Sequence, residues 1–319
     1  MKENFAETMP TKRFMVDLAC GRFDSQDDMH TVAVVATSCH DDAEVIREVA
    51  GYRGIAKSVL VSEFDDVSNS QRPTAITEEA AAAIHRFLAS WDFESTRFLF
   101  VCDGSVSRSA AMLCAWMRLC GEDDLPLWAD AQNYSPNVLV YGRLLAAGGV
   151  QLSEAQLSER ELLKDMVLGC KVAGRKSHAM HLLEKPWRQI RDGEKRCELR
   201  RLDAKRKAIA PGDLVVFSRV GSPDELLVVR VTECRTAGSI EKLLLDDDVL
   251  SASGFATLED AVAGMGEIYG DDPYEALGIF LDVSDWVTGA DACRRMPKET
   301  LDSMRGSAVM RDYFADGMK

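Results

Sequence analysis

Short apolar runs alternate with longer amphipathic stretches through the first half of the chain. Four runs have the length and the β-branched content of buried strands: 14–18, 31–36, 58–61 and 97–102. Thr77 precedes two glutamates and an alanine-rich apolar stretch, which is typical of a capped helix, and residues 109–119 are apolar nearly all round, as in a buried helix. This alternation predicts an α/β domain at 12–150, with a central sheet flanked by helices.

The pattern changes after the glycine pair at 148 and 149. Residues 153–168 carry leucines at helical spacing with charges between them, which predicts a helical linker at 151–176. Beyond it the predicted strands are 181–183, 196–201, 214–220, 226–234 and 277–283. Helices at 240–245 and 258–269 complete a small α+β domain at 177–285. Its strands would close a small barrel or a curved sheet, and 286–319 would form a tail.

Charge changes this picture in one place. The chain has 319 residues and a net charge of −14, which argues against a general nucleic-acid binder. Residues 171–207, however, carry 13 Lys and Arg against 5 Asp and Glu, a net charge of +8. One basic segment therefore stands in an acidic protein, and we expect it to have a function of its own.

The cysteines, the histidines and the N-terminal residues limit which class of protein this sequence can encode. Nine cysteines without a Cys-x-x-Cys pair predict reduced thiols, and the five histidines predict neither a metal site nor a cofactor. The first 14 residues lack the apolar core of a signal peptide, and no run approaches the ~20 apolar residues that span a bilayer. We expect a soluble, cytoplasmic protein with no membrane partner.

A strand, a polar loop and a buried helix surround Cys102. The strand ends at this cysteine, the helix begins near Arg108, and the loop between them consists of Asp103, Gly104, Ser105, Val106 and Ser107. Backbone amides at a helix N-terminus are suited to hold one anion, and the positive helix end favours a thiolate. A guanidinium fork can hold two phosphate oxygens. This arrangement predicts nucleophilic phosphoryl transfer by Cys102.

The Cys-x5-Arg spacing resembles the signature of the protein tyrosine and dual-specificity phosphatase superfamily. The Ser-Arg-Ser-Ala-Ala ending is similar to its bacterial, dual-specificity-like branch. The resemblance implies that Cys102 is the nucleophile, that Arg108 and the loop amides hold the phosphoryl oxygens, and that Ser109 helps to expel the thiolate. It covers roughly residues 12–150.

The same family uses an aspartic acid on an earlier loop as general acid. Asp65 and Asp66 both lie about where this acid is expected, and Asp66 is slightly favoured. The sequence departs from the family at two positions, with Val101 in place of the histidine before the nucleophile and Ser105 in place of a loop glycine. The lost histidine would reduce activity.

The basic segment carries a second set of motifs. Lys-Pro-Trp at 185–187, Gly-x-Lys-x-x-Glu-Leu-Arg at 193–200 and Pro-Gly-Asp-x-x-x-Phe at 211–217 resemble the ASCH domain, a small β-barrel related to the PUA RNA-binding fold. The resemblance covers about residues 178–285. It implies a cleft that binds RNA or nucleotide-like ligands.

The residues expected at this cleft come from the first two motifs. The resemblance places Lys195, Glu198 and Arg200 in the cleft, and we add Lys185, with Trp187 available to stack a base. Strand alternation would put Lys195 on one face with Cys197, and Glu198 and Arg200 on the other. The alternative is a set of solvated ion pairs, each contributing about 0–1 kcal/mol.

Three functions follow from these resemblances. The leading hypothesis is a cysteine-dependent phosphatase, acting on a phosphoprotein, a nucleotide or an RNA phosphate, coupled to an ASCH module that binds RNA or a nucleotide. A second is a non-catalytic protein that binds phosphate and RNA through a degenerate phosphatase domain. A third is an ASCH amidohydrolase on a modified nucleoside with Lys195 as base; those hydrolases have a threonine where Glu198 stands, which favours binding over hydrolysis.

Overall fold

The chain divides into two compact units, Met1–Lys164 and Asp165–Lys319. The computed structural model describes residues 6–23, 30–270 and 272–282. Each unit contains a sheet of its own. Within the described ranges, no helix has the length and apolarity to cross a membrane. The tail expected at 286–319 lies outside the described residues.

The first unit is built on a four-stranded parallel sheet. Its strands are β1 (Ala6–Pro10), β2 (His30–Thr37), β3 (Val59–Glu63) and β4 (Thr96–Cys102), in the spatial order β1-β4-β2-β3. The two central strands, β2 and β4, are buried along most of their length. Their sequences are therefore continuous apolar runs rather than alternating ones, which is why the sequence predicted both.

Within the described residues, seven α-helices belong to or begin in this unit. They are α1 (Thr11–Ala19), α2 (His40–Tyr52), α3 (Glu78–Ala89), α4 (Arg108–Leu119), α5 (Leu125–Ala129), α6 (Val138–Ala147) and α7 (Glu154–Val172). Thr77 caps α3 as predicted, because its hydroxyl accepts a hydrogen bond from the Ala80 amide at 3.1 Å. The mixed α/β class predicted for this half of the chain is confirmed.

The predicted strand at 14–18 is wrong, because these residues form the middle of α1. Phe14 and Leu18 lie four positions apart and pack together in the core, and Arg13 pairs with Asp17 one helical turn later. A five-residue window with apolar ends fits both a helix and a strand. The true neighbouring strand, β1, is short and carries few apolar residues, and the sequence pattern did not predict it.

The second unit contains a five-stranded sheet in the order β5-β7-β8-β9-β6. Its strands are β5 (Ser177–Leu182), β6 (Cys197–Arg201), β7 (Leu214–Arg219), β8 (Ser222–Ala237) and β9 (Ala276–Asp282). β5 runs parallel to β7, and the other neighbours are antiparallel. The first half of β8 pairs with β7 and the second half pairs with β9, so this long strand carries the sheet around a bend.

The described part of this unit also contains four α-helices. They are α8 (Glu184–Arg191), α9 (Ile240–Leu244), α10 (Asp247–Ala252) and α11 (Leu258–Tyr269). One core contains side chains of β5, β7, β8 and β9 together with α8, and the other contains side chains of β6 together with the last three helices. Thr257 caps α11 as predicted, with its hydroxyl 3.1 Å from the Asp260 amide.

The two edge strands of this sheet, β5 and β6, meet without a backbone ladder. Arg200 of β6 bridges them, because its guanidinium donates to the His181 carbonyl of β5 at 2.8 Å. We call this junction the seam. The predicted barrel is thus a curved sheet whose edges are joined here by a side chain rather than by paired strands.

Candidate functional site

The strand–loop–helix unit brings Cys102 and Ser109 together. Cys102 ends β4, where Pro10 of β1 and Ala36 of β2 flank it in register. Ser109 lies in the first turn of α4, and its hydroxyl oxygen is 3.1 Å from the Cys102 sulfur. Both residues are buried. The spacing that the sequence singled out therefore places a hydroxyl directly against the thiol.

Arg108 is 3% exposed and is held by internal partners. Its Nη1 group donates to the Phe64 carbonyl at 2.6 Å and to the Ser38 hydroxyl at 3.0 Å. Its Nη2 group donates to the Asp103 carboxylate at 2.5 Å. That carboxylate occupies a donor which the phosphatase resemblance assigns to a phosphoryl oxygen.

The loop itself adopts a constrained conformation. Ser105 has a φ of +58°, in the left-handed region that favours glycine, at the position where the resembled family has a glycine. Its amide donates to the Cys102 carbonyl at 3.3 Å, so this amide is directed at the strand end rather than at an anion. The Val106 carbonyl accepts a hydrogen bond from the Ser135 amide at 2.9 Å, which restrains the loop.

The two candidate acids differ in their surroundings. Asp66 accepts hydrogen bonds from the Ser107 hydroxyl at 2.8 Å and from the Asn137 side chain at 2.7 Å, so it is bound to the loop. Hydrogen bonds from Thr74 and Ser38, with the positive charge of Arg108, hold the pKa of Asp65 below its usual range. A carboxyl group held in its ionised form is a poor proton donor.

In the second unit, Glu198 lies between two cations. Its carboxylate is 2.9 Å from the Lys195 ammonium and 2.9 Å from Arg200 Nε, and all three side chains are largely buried. Burial alone would raise the pKa of Glu198, but the charges of Lys195 and Arg200 outweigh it and hold that pKa below its usual range. These are therefore buried ion pairs and not the solvated pairs of the alternative interpretation.

The predicted two-faced strand needs one correction. Cys197 and Leu199 do face a hydrophobic core. Lys195, expected on their face, precedes the strand, which begins at Cys197, and its ammonium reaches Glu198. Gly193, with a φ of +80°, makes the turn that places Lys195 there, so strand alternation does not extend back to it.

Trp187 and Lys185 were predicted to lie at the cleft with this cluster, but the structure places them elsewhere. Trp187 is 5% exposed, packs in the core beneath α8, and has the Arg191 guanidinium 5.3 Å from its ring centroid. The prediction that it stacks a base is wrong, because α8 turns Trp187 and Ile190 to the same inner face. Lys185 is exposed on α8 and lines a separate open depression.

A cavity of about 150 Å³, which the sequence did not predict, lies at the seam. Its lining consists of His178, Ala179, Met180, His181, Arg200, Lys205, Arg206 and Ile209. Three of these side chains are cations, two are histidines, and no lining residue is a carboxylate. We call it the seam cavity. In the sequence, the basic stretch at 205–207 indicates that this region is charged, but it does not show that the region lines a cavity.

The acidic partners of these basic side chains lie outside the lining. His178 Nε2 is 2.9 Å from Asp213, the aspartate of the Pro-Gly-Asp motif, and Arg206 pairs with Asp203. Burial would raise the pKa of Asp213, but hydrogen bonds from His178 and from backbone amides outweigh it and hold that pKa low. Among the described residues, no group of three or more His, Cys, Asp or Glu is placed to hold a metal ion.

Comparison with known proteins identifies one segment of the chain. Residues 180–263 match the family model described as the ASCH domain. A structure of a hypothetical protein is 26% identical, with 33% of this chain and 97% of that chain covered at a TM-score of 0.30. A protein from Pyrococcus furiosus, solved by solution NMR, is 24% identical, with 33% and 96% covered at a TM-score of 0.28.

A third similar structure is a variant of the ASCH protein from Zymomonas mobilis. It is 11% identical, with 38% of this chain and 77% of that chain covered at a TM-score of 0.29. No curated protein matches the chain.

Proposed function

We propose, on the premise that residues 180–263 form an ASCH domain, that this domain binds RNA or a nucleotide at the seam between β5 and β6. The observation that carries the proposal is the seam cavity, whose lining contains three cations, two histidines and no carboxylate. A concave site with convergent cationic donors is what a phosphate-bearing ligand requires.

The buried cluster of Lys195, Glu198 and Arg200 supports this proposal. Buried ion pairs are weak contributors to stability, because desolvation of the charges offsets much of their attraction. Here the cluster fixes one end of Arg200 while its other end bonds to the His181 carbonyl across the seam. The cluster thus orients a cation at the cavity before any ligand arrives, which lowers the ordering cost of binding.

Binding by the full chain tests the proposal. Fluorescence anisotropy with a labelled single-stranded RNA and competition by nucleotides would be measured for the wild type, Arg200→Gln and Arg201→Gln. Arg201 is the matched control, because it is the next residue along the strand and is exposed. We expect Arg200→Gln to weaken binding by about tenfold or more and Arg201→Gln to leave it nearly unchanged.

Circular dichroism would verify that Arg200→Gln is folded, since Arg200 belongs to a buried ion pair. The absence of any RNA or nucleotide binding by the wild type would contradict the proposal. Equal losses in the two variants would also contradict it, because they would indicate a diffuse electrostatic effect.

A second candidate function, a cysteine-dependent phosphatase, concerns the first unit. The observation that favours it is the contact between Cys102 and Ser109 beside the buried Arg108. In this mechanism the Cys102 thiolate attacks phosphorus, the bond from phosphorus to the leaving oxygen breaks, and Asp66 gives that oxygen a proton. Water then gives a proton to that aspartate and attacks the phosphocysteine, the sulfur–phosphorus bond breaks to release phosphate, and Ser109 assists departure of the thiolate.

Hydrolysis of p-nitrophenyl phosphate tests this second candidate. We expect vanadate-sensitive turnover in the wild type, its loss in Cys102→Ser, and its retention in Cys20→Ser, a control at an exposed cysteine. Turnover that is absent from the wild type, or that survives in Cys102→Ser, would reject the phosphatase and favour a non-catalytic role for this unit.

A further inference from the structure

The size of the seam cavity limits what it can contain. At about 150 Å³ it is smaller than the ~300–1,000 Å³ of typical sites for drug-sized ligands. A cavity of this size is below the range that encloses a drug-sized ligand, but it can hold a phosphate group, which has five heavy atoms.

The charges that face the cavity suit a group of high charge density. Arg200, Lys205 and Arg206 all line it. Arg206 Nε is buried and, among the described residues, donates no hydrogen bond. Lys205 is exposed at the opening and has no ion-pair partner in the described part of the chain. An unused buried Nε donor on a half-buried guanidinium favours an anionic ligand.

The nearby carboxylates do not cancel this positive charge at the lining. Glu198 binds Arg200, and Asp203 binds Arg206, but neither residue lines the cavity. Three cations against two carboxylates leave an excess of positive charge at the lining. A phosphate monoester carries about −1.5 to −2 charges at pH 7, whereas an internal phosphodiester carries one.

We infer that the seam cavity binds the terminal phosphate monoester of an RNA strand or a mononucleotide, while the ribose and the base stay outside. This inference rests on the proposed function and names the group that it recognises. An internal phosphodiester would have to bring two chain directions into a cavity of about 150 Å³, whereas a chain end brings in one. The domain is thus an end-binding module rather than a binder of internal RNA segments.

The test compares three RNA oligonucleotides of one sequence, with a 5′-phosphate, a 3′-phosphate or hydroxyls at both ends. The full chain would be used as wild type, Lys205→Ala and Lys207→Ala. Lys207 is the matched control, because it lies two residues away, carries the same charge, pairs with Glu275 and does not line the cavity. Both lysines are exposed, so neither substitution threatens the fold.

We expect the wild type to bind one phosphorylated oligonucleotide about tenfold or more tightly than the hydroxyl-ended one. Lys205→Ala should abolish this preference, and Lys207→Ala should keep it. A nucleoside monophosphate should compete and its nucleoside should not; competition stronger than that of the phosphorylated RNA would identify the mononucleotide as the source of the phosphate.

Two results would overturn the inference while leaving the proposed function intact. One is equal affinity for all three oligonucleotides, and the other is a phosphate preference that Lys205→Ala does not change. A wild type that binds neither RNA nor nucleotide would overturn the proposed function and this inference together.

Discussion

Glu198 is the residue on which the buried charge cluster depends. It is one anion in contact with two cations, and both cations are largely buried themselves. Its removal leaves Lys195 and Arg200 without their counterion in a poorly solvated place. The cost of that change belongs to the unpaired cations and not to the lost attraction alone.

We expect Glu198→Gln to destabilise the full chain by about 3–5 kcal/mol at pH 7, as measured by urea unfolding. The pKa of Glu198 lies below its usual value, so its contribution is complete above the unfolded pKa of about 4.3 and is lost as the pH falls through the folded pKa. The difference from the wild type should therefore begin to shrink at about pH 5 and go on shrinking as the pH falls further.

Glu194→Gln serves as the control, because Glu194 is exposed four residues earlier, and it should change stability by less than about 0.5 kcal/mol. A stability difference between wild type and Glu198→Gln that stays constant over this pH range would show that ionisation of Glu198 is not its source.

In the strand–loop–helix unit around Cys102, the Asp103 carboxylate accepts a hydrogen bond from Arg108 Nη2 and so competes with a bound anion for this donor. On the proposal that the first unit is a phosphatase, we expect Asp103→Asn to tighten inhibition by vanadate by up to about tenfold, since a neutral amide competes less well than a carboxylate for the guanidinium. Asp92→Asn, which changes a carboxylate that bonds to Ser95 at the surface, should have no effect. Weaker inhibition in Asp103→Asn would mean that Asp103 positions Arg108 instead of competing for it.

At the scale of elements, the turn between α8 and β6 determines where Lys195 lies. Gly193 occupies the left-handed region, and two residues later the Lys195 amide donates to the Gln189 carbonyl at 3.0 Å. Gly169 in α7, by contrast, has ordinary helical geometry and open space where a Cβ would lie. The two glycines therefore predict opposite effects of the same substitution.

We expect Gly193→Ala to cost about 1–2 kcal/mol of unfolding free energy, because alanine is strained at a positive φ. Gly169→Ala should add about 0.5–1 kcal/mol, because alanine favours the helix. Urea unfolding of the two variants side by side measures both signs. A stabilised Gly193→Ala variant would contradict the turn geometry.

Helices and strands were predictable where the local sequence carried one clear signal. The continuous apolar runs of β2 and β4 gave two central strands, and Thr77 gave the start of α3. Trp187 was misjudged because its basic neighbours suggested exposure, although its spacing of three from Ile190 favoured a shared buried face.

The candidate site was predictable only in part, because its residues come from separate segments. Lys195, Glu198 and Arg200 lie within one short motif, so the resemblance grouped them, whereas strand alternation put Lys195 on the wrong face. The seam cavity instead joins β5 to residues 205 and 206, and this depends on how β8 bends and pairs with two strands in turn. Long-range register of that kind leaves no local pattern.

The whole molecule has a net charge of −14 and contains one basic segment, residues 171–207. RNA that binds mainly at the seam should therefore neutralise few phosphates. We expect the logarithm of the affinity to fall with the logarithm of salt concentration at a slope of about −1 to −2, since each phosphate contact on a single strand contributes about −0.7. Anisotropy titrations at several salt concentrations measure it, and a slope steeper than about −5 would indicate an extended electrostatic surface instead.

The seam also has a consequence for isotope exchange. The sides of β5 and β6 that face each other have no ladder partner, whereas β7 and β9 are paired on both sides along most of their length. Backbone amides at such an edge are expected to take up deuterium sooner than those in the middle of the sheet. A ligand seated between the two edges would slow uptake there and leave the centre of β8 unchanged, so mass spectrometry of exchanged peptides would report occupancy of the seam without any label on the ligand.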